Sequence, residues 1–139
     1  MPHRHLPIRA SLLLAALVFT MPAWSADPVR KETVELTAGK TVHSVKGKIK
    51  GYAMVEYSIT APAGSRLSIQ LNSANTSAYF NLSLDGADEA LFVGSRDGNR
   101  YQGDIAAPGR YKVQVYLMRN AARKNQTAGY VLEIGATGT

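Results

Sequence analysis

Arg119, Arg123 and Lys124 place three cations within six residues of LMRNAARKNQTAGY (117–130), between an apolar run that ends at Leu117 and another that opens at Tyr130. A guanidinium offers planar, permanently charged donor pairs that match a carboxylate. Asn120 is a good N-cap residue, Ala121 and Ala122 favour helix, and Asn125 can end a turn. Residues 120–125 therefore read as a single helical turn joining two strands, with Arg119 and Arg123 one turn apart on the same side. A second cationic stretch, VKGKIKGY, alternates Lys46, Lys48 and Lys50 along one strand face and runs directly into Tyr52. Such a row fits an edge strand guarded by lysines, and it also fits an electrostatic patch for an anionic partner.

Catalytic chemistry has little to work with. His3 and His5 fall in the amino-terminal leader, so His43 is the one histidine beyond it, and the chain has no cysteine. Nucleophile–base sets and zinc sites both need more imidazole or thiolate than this. His43 shares a strand face with Val45, Gly47 and Ile49 and reads as an ordinary strand histidine. Asp85 and Asp88, with backbone carbonyls, are a candidate calcium set. Asp85, Asp97 and Asp104 each adjoin a glycine, where aspartate is favoured for local turn geometry. A glycosidase with paired carboxylates would need a cleft that so small a domain hardly provides.

The first 25 residues have the layout of a secretory signal peptide. Arg4 and Arg9 form a basic start, ASLLLAALVFT (10–20) an apolar centre, and Ala23 and Ser25 a small-residue cleavage site, with cleavage after Ser25 preferred to cleavage after Ala26. The apolar centre is well short of the roughly 20 residues that span a bilayer. Removing 25 of the 139 residues leaves 114, the size of one domain, 26–139. Without Arg4 and Arg9, 14 of the 16 basic residues remain against 10 acidic ones. That excess is too small to mark a nucleic-acid binder. The reading is an exported, periplasmic domain with no membrane insertion after cleavage, held without disulfides by burial and backbone hydrogen bonds.

The elements that would carry these side chains are strands. Hydrophobic alternation with period two runs through YKVQVYL (111–117), RLSIQLN (66–72), YFNLSLD (79–85), VEYSI (55–59) and ETVELTA (32–38). It turns Tyr111, Val113, Val115 and Leu117 to one face, and likewise Leu67, Ile69 and Leu71; Phe80, Leu82 and Leu84; Val55, Tyr57 and Ile59; and Val34, Leu36 and Ala38. YVLEI and DEALFVG are shorter candidates. APAG (61–64) and APG (107–109) supply turns, and Asp85-Gly86 and Asp97-Gly98 are hairpin dipeptides. Residues 26–31 read as a loose lead-in. The expected fold is all-β: a single antiparallel β-sandwich or partly closed barrel of about eight short strands, with 120–125 the one break in the period.

IKGY (49–52) and RNAARKN (119–125), set in KGKIKGYAMVEYSITAPAGSRLSIQL and APGRYKVQVYLMRNAARKNQTAGYVLEI, resemble the periplasmic inhibitors of goose-type (g-type) lysozyme from Gram-negative bacteria. The order and spacing of these stretches follow the family, most closely from Ala107 to Ile134, while 74–105 diverges. The resemblance implies a cofactor-free, non-enzymatic all-β protein that binds g-type lysozyme non-covalently and blocks its active-site cleft. It carries an inhibitory role to Tyr52 and Arg119, with Asn120, Arg123, Lys124 and Asn125 as their neighbours in the motif. The cations would then enter a carboxylate-lined cleft. Tyrosine and arginine are also the types most often found at interface hot spots.

AGSRLSIQL followed by PGRYKVQV also resembles the β-sandwich modules that follow secreted peptidase domains, which are ligand-binding and often calcium-supported. SAYFNLSL stands where those modules usually carry acids. A glycan-binding protein would instead use Tyr52, Tyr79, Tyr101 and Tyr116 as stacking platforms.

Overall fold

The computed structural model describes residues 29–36, 42–61, 64–106 and 108–137. The leader (1–25), Ala38, part of the APAG turn and Ala107 lie outside them. Nine strands follow in chain order: β1 (Val29–Val34), β2 (His43–Lys50), β3 (Met54–Ala61), β4 (Arg66–Ser73), β5 (Ala78–Leu84), β6 (Ala90–Val93), β7 (Arg100–Asp104), β8 (Gly109–Leu117) and β9 (Thr127–Thr137). Two short helical turns interrupt them, α1 (Gly94–Asp97) between β6 and β7 and α2 (Arg119–Arg123) between β8 and β9.

The strands form two sheets, a five-stranded one in the order β1-β3-β8-β5-β6 and a four-stranded one in the order β2-β9-β4-β7. Their inner faces are the apolar positions of the alternating runs. Val55, Tyr57 and Ile59 from β3, Phe80 and Leu82 from β5, and Val113 and Val115 from β8 bury against Leu67 and Ile69 from β4 and Leu132 and Ile134 from β9. Burying each such side chain contributes about 1.5–3 kcal/mol. The architecture is a β-sandwich, not a closed barrel.

Three local expectations need correction. Residues 29–31 are not a loose lead-in: they open β1, which runs parallel to β3 from Val29 opposite Met54 to Val34 opposite Ile59. The sandwich is thus not wholly antiparallel. Period two also breaks at Gly94–Asp97, where Asp97-Gly98 ends a helical turn instead of making a hairpin. Gly98 takes φ 102° there, and its N–H reaches the Gly94 carbonyl at 2.8 Å. Asp85-Gly86 does lie in the β5–β6 connection, with Gly86 at φ 80° and the Ala87 N–H on the Leu84 carbonyl at 3.0 Å.

Between the sheets, Tyr57 of β3 and Tyr130 of β9 bring their hydroxyls to 2.6 Å. Arg30 of β1 lies near Tyr57 and is paired with Glu32 at 2.9 Å. Tyr130 finds its space by lying across Gly47, its partner on β2, where an added Cβ would come within 2.3 Å of the ring. Burial raises the pKa of both tyrosines above the usual value, more strongly for Tyr130, whose hydrogen bond to Tyr57 also favours its protonated form.

Two outcomes follow from this pair. Tyr57→Phe leaves the Tyr130 hydroxyl buried without this partner and should cost about 1–3 kcal/mol in urea unfolding, while adding Tyr130→Phe should recover much of the loss. A double-mutant cycle without coupling would show that the bond contributes nothing. The pH dependence has a definite sign. A tyrosine held protonated in the folded state lets only the unfolded chain lose its proton above about pH 10, so stability is intact below that pH and falls as pH rises beyond it. Tm measured from pH 8 to 11.5 should drop for the native chain and drop less for the double phenylalanine variant.

Candidate functional site

The resemblance-based residues Tyr52, Arg119, Asn120, Arg123, Lys124 and Asn125 lie in two connections that both cross from one sheet to the other. Gly51–Ala53 joins β2 to β3, and 118–126 joins β8 to β9. In the first, the Ala53 N–H meets the Lys50 carbonyl at 3.1 Å, closing a four-residue turn. Gly51 occupies the second position of that turn at φ 61°, a conformation glycine adopts without steric cost. Tyr52 follows, 47% exposed.

In the second connection, α2 sets its buried alanines, Ala121 and Ala122, over the end of the core and leaves Arg119, Asn120 and Arg123 exposed. Arg119 and Arg123 are four residues apart and so share a side of the turn. The turn begins one residue earlier than its sequence indicates. Met118, not Asn120, is the N-cap residue, and its carbonyl accepts from the N–H groups of Ala121 at 3.0 Å and Ala122 at 2.9 Å. Asn120 is inside the helix, and the Met118 N–H donates to the Ser77 carbonyl at 2.8 Å.

The end of α2 is a Schellman motif. Gln126 N–H reaches back to the Ala121 carbonyl at 3.2 Å, and Asn125 N–H to the Ala122 carbonyl at 2.9 Å. Asn125 takes φ 54°, the only described non-glycine residue with positive φ, so it does end the turn. Asparagine tolerates this conformation better than most side chains.

The two connections meet. Gly51 N–H donates to the Gln126 carbonyl at 2.9 Å, and Gly51 is so close to Asn125 that an added Cβ would lie 2.7 Å from Asn125 Oδ1. A third segment, between β4 and β5, braces them: Asn75 Nδ2 donates to Gln126 Oε1 and to the Thr127 carbonyl, both at 3.2 Å. Sequence reasoning missed Asn75, Gly51 and Met118 as supports, since nothing local to those positions reports a contact so distant along the chain. Neither connection contains an acid. Among the described residues Arg119, Arg123 and Lys124 take part in no ion pair, while Arg30, Arg66, Arg96 and Lys112 do.

Other candidates separate in space. Lys46, Lys48 and Lys50 are exposed along β2, an edge of the four-stranded sheet, as an edge-guarding row requires. Asp85 stands 3.9 Å from Lys112 Nζ, and among the described residues no group of three or more acids or histidines is placed to hold a metal. The four tyrosines named for glycan stacking form no single platform. Tyr52 is on a loop, Tyr79 and Tyr116 face outward from the five-stranded sheet, and Tyr101 packs edge-on against Phe92 with centroids 5.5 Å apart.

Known proteins with this sequence and fold point one way. The inhibitor of g-type lysozyme from Escherichia coli strain K12 is 28% identical over 128 residues, 91% of this chain and 94% of that protein. The crystal structure of the periplasmic inhibitor of g-type lysozyme from Aeromonas hydrophila aligns with TM-score 0.72 and 29% identity, covering 81% of this chain and all of its own. The corresponding Salmonella Typhimurium inhibitor aligns with TM-score 0.61 and 26% identity over 78% of this chain and 98% of its own. A pre-peptidase C-terminal domain of Bacillus anthracis collagenase, 16% identical with TM-score 0.55 over 81% of this chain and all of its own, shares the fold alone. No family model matches the chain. In sequence along nine-tenths of its length and in the architecture of its sandwich, the chain is similar to the periplasmic inhibitors of g-type lysozyme.

Proposed function

We propose that this protein inhibits g-type lysozyme in the periplasm, after removal of residues 1–25, and so protects bacterial peptidoglycan from host lysozyme. It acts by binding, not by catalysis. Arg119 enters the active-site cleft and holds a carboxylate there, Tyr52 packs beside it, and Asn120, Arg123, Lys124 and Asn125 complete the contact surface.

The observation that carries this reading is the meeting of the Gly51–Tyr52 turn with the α2 turn at one end of the sandwich. Two motifs far apart in the chain form one exposed, acid-free projection. Glycoside hydrolases work through carboxyl groups that flank the scissile bond, and a guanidinium is the side chain best matched to such a group. Tyr52 adds rigid apolar area with a polar tip, at low entropic cost. The backbone of both turns is already fixed by hydrogen bonds, so association need not order the loops.

Lysis of purified cell walls by g-type lysozyme, with the mature protein titrated in, tests this directly. Native protein should stop lysis, and Arg119→Ala should weaken inhibition by about 2–4 kcal/mol, roughly thirty- to a thousand-fold. Arg119→Lys should fall between them, because it keeps the charge and loses the planar fork. Undiminished lysis at a clear molar excess of native protein would sink the reading. Gly51→Ala probes the platform: its Cβ meets Asn125 Oδ1 and its φ is unfavourable, so inhibition should weaken together with a lowered Tm. Full inhibition by that variant would mean that the junction of the two turns does not matter.

A further inference from the structure

The outer face of the five-stranded sheet carries one apolar row at the end that bears the two loops. Strand register sets Val29 beside Met54, Met54 opposite Tyr116 by continuation of the β3–β8 pairing, and Tyr116 opposite Tyr79. Four neighbouring strands thus contribute two tyrosines, a methionine and a valine, side by side and outside the core. Val29 is exposed, and the other three are half-buried. The next row is polar on the same four strands, with Lys31, Glu56, Gln114 and Asn81, and turns apolar only at Val93 on the edge strand β6. Tyr116 is held in place, its hydroxyl donating to Asn81 Oδ1 at 2.9 Å.

The row is continuous with the loop end. Met54 lies two residues beyond Tyr52, and Tyr116 two residues before Met118, both of which are exposed. A stable protein–protein interface needs about 800 Å² and 20–30 residues on each side, far more than a helical turn and one tyrosine supply. The contact must therefore spread from the loops onto an adjoining face. The outer face of the four-stranded sheet is polar and cationic, with Lys46, Lys48, Gln70 and Asn72. Tyrosine and methionine are enriched in interface cores, and lysine is depleted there.

We infer that the Met54–Tyr116–Tyr79 row is the second half of the enzyme-binding surface and docks on the rim of the lysozyme cleft that receives Arg119. This inference rests on the functional reading above and extends it from a loop to a sheet face. Tyr79 and Met54 set how much of the rim is covered, and hence which lysozymes are held tightly.

The test is the same lysis assay, with Tyr79→Glu, Met54→Glu and, as a control on the opposite sheet, Gln102→Glu. Arg119→Ala is run alongside, and Tm is recorded for every variant. The expected result is a loss of inhibition of roughly ten- to a hundred-fold for Tyr79→Glu and Met54→Glu at unchanged Tm, with Gln102→Glu matching the native protein. If either glutamate lowers Tm, Tyr79→Ser and Met54→Ala replace it, with the same ten-fold threshold. Native-like inhibition by the Tyr79 and Met54 variants, while Arg119→Ala fails, would overturn the sheet-face surface and leave the functional reading standing. A native protein that does not inhibit at all would remove both.

Discussion

The closeness of the Gly51 backbone to Asn125 governs the arrangement of the loop-bearing end of this molecule. One connection ends in a left-handed asparagine at the close of α2, and the other begins with a left-handed glycine after β2. Each conformation turns its chain sharply, and together they bring the Gly51 N–H onto the Gln126 carbonyl at 2.9 Å. A side chain at position 51 would occupy the space of Asn125 Oδ1. The separation between the Tyr52 turn and the Arg119 turn therefore comes from backbone, the least adjustable part of a protein. Asn75 adds a third strand connection to the same junction.

That junction stays put because the sheets beneath it are locked. There is no cysteine, so burial and hydrogen bonding alone hold the two layers in register. The pairing of Tyr57 with Tyr130 fixes β3 against β9, the strands that leave the two loops. Gly47 is part of the same arrangement, since only a residue without a side chain lets the Tyr130 ring lie across β2. An alteration that loosened this buried contact would reach the loops through their own strands.

Much of the fold was legible because half-buried strands must alternate. Leu67, Ile69 and Leu71, or Val113, Val115 and Leu117, could not all point inward in any other regular conformation. Parallel pairing of β1 escaped detection because alternation reveals a strand without revealing its neighbour or its direction. The α1 turn escaped because GSRD has no helical period and gains its shape from contact: Gly94 is pressed against the Phe80 backbone, where a Cβ would lie 2.4 Å from the carbonyl oxygen. At the candidate site the helical turn and its asparagine stop were readable, and the N-cap was not, since Met118 serves through its backbone. The meeting of Gly51 with Gln126 was beyond reach of any local pattern.

The shared sandwich does not by itself carry a function. The Bacillus anthracis collagenase domain shares the fold at 16% identity, so the fold is common property. The proposed binding residues lie at one end, where sheet-crossing connections converge. A strand connection is exposed by necessity and tolerates changes in sequence that the core cannot. Fixing its backbone to a second connection removes the usual drawback of loops, which is the entropy lost when they order on binding. In the proposed complex, only the long side chains of Arg119, Arg123 and Lys124 would remain to be immobilised. A rigid projection with mobile charged tips can fit a narrow cleft and still adjust to the position of the carboxylate inside it. In the binding mode proposed above, this division between fixed backbone and adjustable tips favours cations on a helical turn capped by buried alanines over the exposed lysine row of β2.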